Sequence, residues 1–513
     1  MGNYNSYMYD MGEDIDMEPV TAECHVHFRP KADWNGQDYG FDWMRIKAPK
    51  PLGDNFSYEG LVSKQHNLDG KLTTDPNQYN GMFREDPAQY ANLEKDYCRL
   101  TVAWQRDAND KCYYPSWLSM YPPSPMPDSK HLSVGEVQLR LFLDVGKAPD
   151  RLEFEENEYF EIIPKVIDSD FREGKSYCWQ DGKETITVKC KKSSSFFQTI
   201  KVYAVKKNKI TGDDDKYLAG RLRIWPNSAG RLKHLKVLLV HVTTPAESAP
   251  VLLMMKPQKA QAQPAYSTYS TLDGSGTVYV TGKIVPLPTG PKAATAKPAV
   301  TKKKNDDPQG DSKNQRELID RYLRQALISA NVLVEELDLS EDVNFKYGGC
   351  YRHKSGILGY YAPIYGKGDP VDNPQKPKGF EDVEKYLYKK LQQILKVEGK
   401  DPNLYADYKR VFFFGEPGGC IEGATGNELS SNVKGYSPAD HNNIVMFPNY
   451  ADAAVVHEIL HSLGLAHTFT NFKADPNAKF TYRSQFTDNL MDYSSNVYAL
   501  WHWQWEIANG NVK

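Results

Sequence analysis

Long hydrophobic runs are missing from the chain. The longest, VLLVHV from Val237 and PVLLMM from Pro250, fall far short of the roughly 20 apolar residues that cross a bilayer, which excludes a transmembrane helix. Cysteine is scarce: 7 in 513 residues is too few for a disulfide scaffold, and the odd count leaves at least one thiol without an internal partner. Neither sign of charge is in excess. The 63 Lys and Arg against 66 Asp and Glu give a net charge of -3, so no global field points to nucleic acid or to an anionic membrane surface. The opening residues, MGNYNSYMYDMGEDIDMEP, lack the basic and apolar regions of a secretory signal. The expectation is a chain secreted or exported by a signal-peptide-independent route, one whose leader has been removed, or one kept in the cytoplasm. Met1, Gly2 and Ser6 match a loose acylation pattern that no polybasic segment supports.

What is present divides the chain, which is too long for a single core. Four prolines crowd YPPSPMPDS at Tyr121 to Ser129, a stretch that excludes helix and central strand. From about Lys256 to Asn314 the composition turns to Ala, Pro, Lys, Thr, Ser and Gln, the signature of a tether, although GTVYVTGKIVPL within it alternates like a strand. These breaks predict a mostly β or irregular domain over residues 1–125 and a β-sandwich over 126–255. A flexible linker over 256–314 and an α/β domain over 315–513 complete the expected order. The sandwich is read from VQLRLFLDV, FEIIPKVI, TITVKC, TIKVYAV, GRLRIWP and LKVLLVHV, separated by turn residues such as QDGK and GDDD. In the last segment RELIDRYLRQALISANVLVEELDLS reads as helix then strand, DVEKYLYKKLQQILKVEG as a helix and RVFFFGEP as a buried strand. NNIVMFP reads as a short strand leading into the helical YADAAVVHEILHSLGL.

That last helix carries the chemistry. Residues 457 to 467 read HEILHSLGLAH. His457 and His461, four apart, share one helix face and can aim two imidazoles at a single point, which suits a zinc ion. An unbroken helix would turn His467 away. Gly464 resolves this, because a glycine adopts the left-handed conformation that ends a helix and lets the chain swing back with a third ligand. Three protein ligands leave the open position that a catalytic Zn2+ requires. Glu458 points elsewhere than its neighbour His457 and is placed to take a proton from water, whose pKa zinc lowers toward about 7. From the composition, the pattern H-E-x-x-H-x-x-G-x-x-H arises by chance on the order of once in 10⁴ to 10⁵ such chains. Glu506, the sole glutamate after His461, is a weaker candidate for the third ligand than His467.

The segment from about 315 to 513 resembles the metzincin clan of zinc metallopeptidases. These enzymes add a tight turn with a methionine below the metal, and DNLMDYSSN supplies one, with Met491 24 positions after His467. By resemblance Met491 forms a floor under the imidazoles without ligating. Tyr493, two residues on, matches the spacing of the astacin-like, serralysin-like and pappalysin-like branches, where a tyrosine hydroxyl sits near the zinc and stabilises the oxyanion. The run NLMDYS before a final helix is most similar to the pappalysin-like branch, but the cysteine pairing expected there is missing. The resemblance implies a mixed sheet backed by two helices above a small irregular lobe. A peptide would lie extended along the edge strand of that sheet, with residues 468 to 490 shaping the adjoining pocket.

Other features carry less. CHVH at Cys24 to His27 puts two histidines on one strand face but has no partner pair nearby. No segment of the P-R-C-G type offers a thiol plug for the zinc. Cys350 and Cys420, each after Gly-Gly, leave a bridge and two separate thiols equally open, and KKK at Lys302 to Lys304 reads as solvated linker. The expected protein is a multidomain zinc endopeptidase acting on protein or peptide substrates. Its N-terminal domains would serve docking or delivery, to a secretion apparatus or a target-cell surface in the case of an exported effector or toxin. The competing reading is a non-catalytic adhesin or binding protein with a structural metal site.

Overall fold

The computed structural model describes residues 20–63, 85–100, 113–123, 135–182, 184–245, 308–346, 351, 358–360, 382–416, 418–422, 428–437, 441–448, 450–469 and 479–512. In chain order the first elements are β1 (Glu23–Pro30), β2 (Gly40–Asp42), β3 (Val62–Ser63), α1 (Pro87–Asp96), β4 (Ser116–Ser119), β5 (Glu136–Lys147), β6 (Arg151–Phe154) and β7 (Phe160–Ile163). There follow β8 (Val166–Asp168), β9 (Lys175–Cys178), β10 (Ile186–Cys190), β11 (Gln198–Lys207), β12 (Asp214–Ile224) and β13 (Lys233–Thr243). After residue 307 come α2 (Pro308–Leu323), β14 (Ile328–Asp338), β15 (Leu358–Tyr360), α3 (Val383–Val397), β16 (Lys409–Phe414), β17 (Gly418–Glu422) and β18 (Glu428–Val433). The last are β19 (Gly435–Tyr436), β20 (Asn443–Met446), α4 (Ala454–Ser462), β21 (Thr481–Tyr482) and α5 (His502–Gly510). The protein is thus β-rich, with several sheets and few helices. Among the described residues no helix is long and apolar enough to cross a membrane.

Two sheets, β1-β5-β10-β7 with β9 also on β5, and β2-β4-β12-β11-β6-β8, enclose one apolar core. Period-two patterning drives it: Val137, Leu139, Leu141, Leu143 and Val145 of β5 all point inward and are buried. The sandwich read from residues 126 onward therefore exists, but it draws β1, β2 and β4 from the segment expected to form its own N-terminal domain.

A third sheet, β14-β13-β16-β20-β19, is parallel throughout except for its edge strand β19, which runs antiparallel to β20. Its centre differs from expectation. LKVLLVHV, grouped by sequence with the sandwich, is β13, and it lies between β14 and β16. Leu235, Val237 and Leu239 join a core with Ile319 of α2 and Val455 of α4, while Leu238, Val240 and Val242 join a core with Leu387 and Leu391 of α3. Burial on both faces is why this strand reads as a continuous apolar run instead of alternating.

The first of those two cores also takes in Met44, Tyr58, Val62, Tyr97, Trp117 and Trp225 beside Met491, Trp501 and Trp505. The front of the chain and its C-terminal segment are one compact unit, Met1–Pro245 with Asp311–Lys513. This overturns the picture of separable front domains on a tether. Of the expected linker, residues 308–314 lie in α2; residues 256–307, the strand-like GTVYVTGKIVPL and Lys302–Lys304 among them, lie outside the described residues, as do Cys350 and the acylation pattern at Met1.

Candidate metal centre

α4 buries Val455, Val456, Ile459 and Leu460 against the sheet, which leaves His457 and His461 side by side one turn apart. The helix stops as its sequence predicts. Gly464 has φ +82, its N–H donates to the His461 carbonyl at 2.9 Å, and the Leu465 N–H donates to the Leu460 carbonyl at 3.0 Å. This paired closure around a left-handed glycine is the Schellman motif, and the buried Leu465 packs in the same core as Leu460. Two residues later the chain has turned back and delivers His467.

The three imidazoles converge. His457 Nε2 lies 3.1 Å from His461 Nε2 and 3.2 Å from His467 Nε2, and the last two are 3.0 Å apart. His457 Nδ1 is 2.7 Å from the Leu490 carbonyl and His461 Nδ1 is 2.7 Å from the Leu465 carbonyl. A carbonyl only accepts, so both Nδ1 atoms carry the proton and both Nε2 atoms present a lone pair. Burial, with mutual repulsion for His461 and His467, keeps the rings neutral. The His457 pKa is lowered, that of His461 falls to about 3, and that of His467 falls far below the usual range. Neutral, oriented imidazoles with converging lone pairs are what a zinc ligand set requires. The spacing fits as well, since a tetrahedral zinc at about 2.05 Å holds its nitrogens about 3.3 Å apart.

Glu458 is partly exposed, yet its carboxyl is desolvated enough to push its pKa up to about 8. Gly435 of the edge strand lies directly over it: a Cβ there would come within 2.9 Å of Glu458 Cγ, 3.0 Å of its Oε1 and 2.8 Å of Met446 Sδ. Tyr493 sits beside the triad, its ring centroid 4.8 Å from that of His467 and 5.8 Å from that of His457. The residue is 57 % exposed, but partial desolvation and the nearby Glu458 carboxylate push its pKa up to about 12. Phe469 stacks on His467 with centroids 4.8 Å apart and 12° between planes, and its ring lies 4.8 Å from that of Tyr493.

The turn that carries Met491 and Tyr493 is held by its own polar groups. Asp492 accepts from Gln485 N at 2.7 Å, Thr487 N at 2.8 Å, Thr487 Oγ1 at 2.7 Å and Tyr493 N at 2.7 Å. Met491 is fully buried in the core shared with α4, and its carbonyl accepts from Thr468 N at 3.1 Å.

Of the residues expected at the site, His457, Glu458, His461, His467 and Tyr493 are brought together, with Met491 in the core behind them. Glu506 is elsewhere, ion-paired to Arg231 at 2.6 Å. His25 and His27 lie buried on β1 against the ring of Tyr113, away from this cluster. Sequence reasoning missed Gly435, which sits in a strand of two residues with no pattern to mark it, and the carbonyls of Leu465 and Leu490, which carry no side-chain signal at all. Compared with known proteins, the chain matches no family model and no curated protein.

Proposed function

We propose that the chain is a zinc-dependent endopeptidase whose last segment is a metzincin-like α/β catalytic domain. The observation that carries the reading is the convergence of three Nε2 atoms within 3.2 Å, two of them held in the ligating tautomer, beside a carboxylate and a tyrosine. His457, His461 and His467 would hold the zinc. When bound, the metal supplies Lewis-acid polarisation of the scissile carbonyl and makes water acidic enough to ionise near neutral pH. A divalent cation held beside Glu458 would favour its charged form and offset the burial that raises its pKa, so that the carboxylate would accept the proton of the attacking water and pass it to the departing amide nitrogen. The Tyr493 hydroxyl, with its pKa near 12, stays protonated at neutral pH and donates to the oxyanion. The peptide pairs through its main chain with the edge strand β19, whose Gly435 adjoins Glu458, so that the scissile bond passes the carboxylate.

The competing reading, a binding protein with a structural metal, fits less well. Structural zinc sites close with four protein ligands, whereas among the described residues three donors converge here. The test compares wild type with Glu458→Gln on a peptide library, with a chelator control. Wild type is expected to cleave in a chelator-sensitive manner, while the variant retains zinc and loses activity by a factor of about 10² or more. Cleavage by the variant at the wild-type rate would refute the assignment.

A further inference from the structure

The two flanks of the histidine cluster are held by the front of the chain. On the His457 side, Asp488 begins the turn whose Leu490 carbonyl orients that imidazole. The Asp488 carbonyl accepts from Tyr498 N at 2.9 Å and Ala499 N at 3.0 Å, and Leu490 N donates to the Ala499 carbonyl at 2.8 Å. The Asp488 carboxylate is buried and meets Arg45, 443 positions earlier: Oδ2 accepts from Nη2 at 2.7 Å and from Nε at 3.2 Å. Arg45 is itself 1 % exposed, donates through Nη1 to the Trp43 carbonyl at 2.7 Å, and lies 3.3 Å from the centre of the Trp43 ring. On the His467 side, β3 pairs with β21, and Tyr482 of β21 donates its N–H to the carbonyl of Thr468 at 2.7 Å.

We propose that Arg45 is a positioning residue for the metal centre: by fixing the Asp488 carboxylate it sets the turn whose Leu490 carbonyl holds His457 in its ligating tautomer. The segment around residues 40–63 is thereby a working part of the catalytic unit. The inference rests on the zinc reading above. A guanidinium suits the task because its planar fork places two N–H groups on one carboxylate and a third on a backbone carbonyl, which a lysine cannot do. A direct hydrogen-bond partner of a ligating histidine typically contributes about 10- to 100-fold to metal affinity, and Arg45 acts on that partner, the Leu490 carbonyl, through Asp488.

The test is a cobalt(II) titration of the full-length, metal-free protein, read from the visible absorption of the bound ion. Arg45→Met leaves Asp488 buried and unpaired and risks unfolding, so it is paired with the double variant Arg45→Met, Asp488→Leu, which removes the buried charge and packs apolar side chains in its place. Val188→Ala, in the sandwich core, controls for lost stability. Both Arg45 variants are expected to bind cobalt at least 10-fold more weakly than wild type, with a shifted spectrum. The control should bind as wild type does despite a lower melting temperature. Wild-type affinity and spectrum in the folded double variant would overturn the role of Arg45 alone, and failure of wild type to bind cobalt would overturn the zinc reading together with it.

Discussion

Glu458 shows how much a single side chain depends on the one that is missing opposite it. Its Cγ and Oε1, with Met446 Sδ, occupy the space that a side chain at position 435 would need. On the proposed zinc-peptidase reading, Gly435→Ala is expected to leave metal content unchanged while displacing Glu458, and a shift of about 1 Å in a catalytic group costs on the order of 10² in rate. Steady-state peptidase assays with parallel zinc analysis would check this, and an unchanged kcat would show that Glu458 does not depend on that space. The histidines and Glu458 were legible in sequence because their relations are local: spacings of four and one on a helix, then a glycine that ends it. Gly435 was not, because the contact that makes it indispensable is made across the sheet edge.

Among the elements, α4 was readable as a helix, although the pattern read over 450–465 forms a helix only over Ala454–Ser462, and its termination was readable too, since the Schellman closure uses only residues 460 to 465. β13 was read as a strand but placed in the wrong sheet. An apolar run without alternation is the mark of a strand buried on both faces in a parallel sheet, and VFFF of β16 shares that mark. The two runs belong together, although β13 ends at Thr243 and β16 begins only at Lys409. Six β13 side chains, Leu235, Val237, Leu238, Leu239, Val240 and Val242, are buried. At about 1.5 to 3 kcal/mol each they contribute on the order of 10 kcal/mol, as much as the net stability of a whole domain. A fragment of residues 315–513, the α/β domain as its sequence alone delimits it, is therefore expected to be unfolded by circular dichroism and to lack the proposed peptidase activity. A folded, active fragment would contradict the placement of β13.

At the scale of the whole molecule, Tyr and Trp recur through the first 120 residues, and their purpose lies in contacts with the far end of the chain. Those rings pack on the C-terminal segment: Tyr58 accepts from Trp501 Nε1 at 2.7 Å, and Trp117 stacks on His502 at 4.3 Å. No sequence pattern announces contacts that span more than 300 positions. His502 is the polar centre of this junction, with Nδ1 2.9 Å from Asp42 and Nε2 3.1 Å from Asp96, while Lys479 also pairs with Asp96 and Arg45 stands 3.8 Å from Asp42. Burial would lower the His502 pKa, but Asp96 and Asp42 raise it above the usual value. Burial would raise that of Asp96, but His502 and Lys479 bring it down to about 2. The histidine's contribution to stability is therefore complete below its unfolded value of about 6.5 and is lost as pH rises through the higher folded value. The aspartate's is complete above about 3.9 and is lost as pH falls toward 2. Urea midpoints of wild type and His502→Gln are expected to differ most near pH 6 and to approach each other by pH 9. A gap that stays constant over that range would show that His502 is not charged in the folded protein.

The proposed three-histidine site is tested by metal content per chain, measured by elemental analysis of the full-length protein and its His461→Ala variant. About one zinc per chain is expected in the wild type, with loss of most of it in the variant. No stoichiometric metal in the wild type, or equal metal in both proteins, would contradict it.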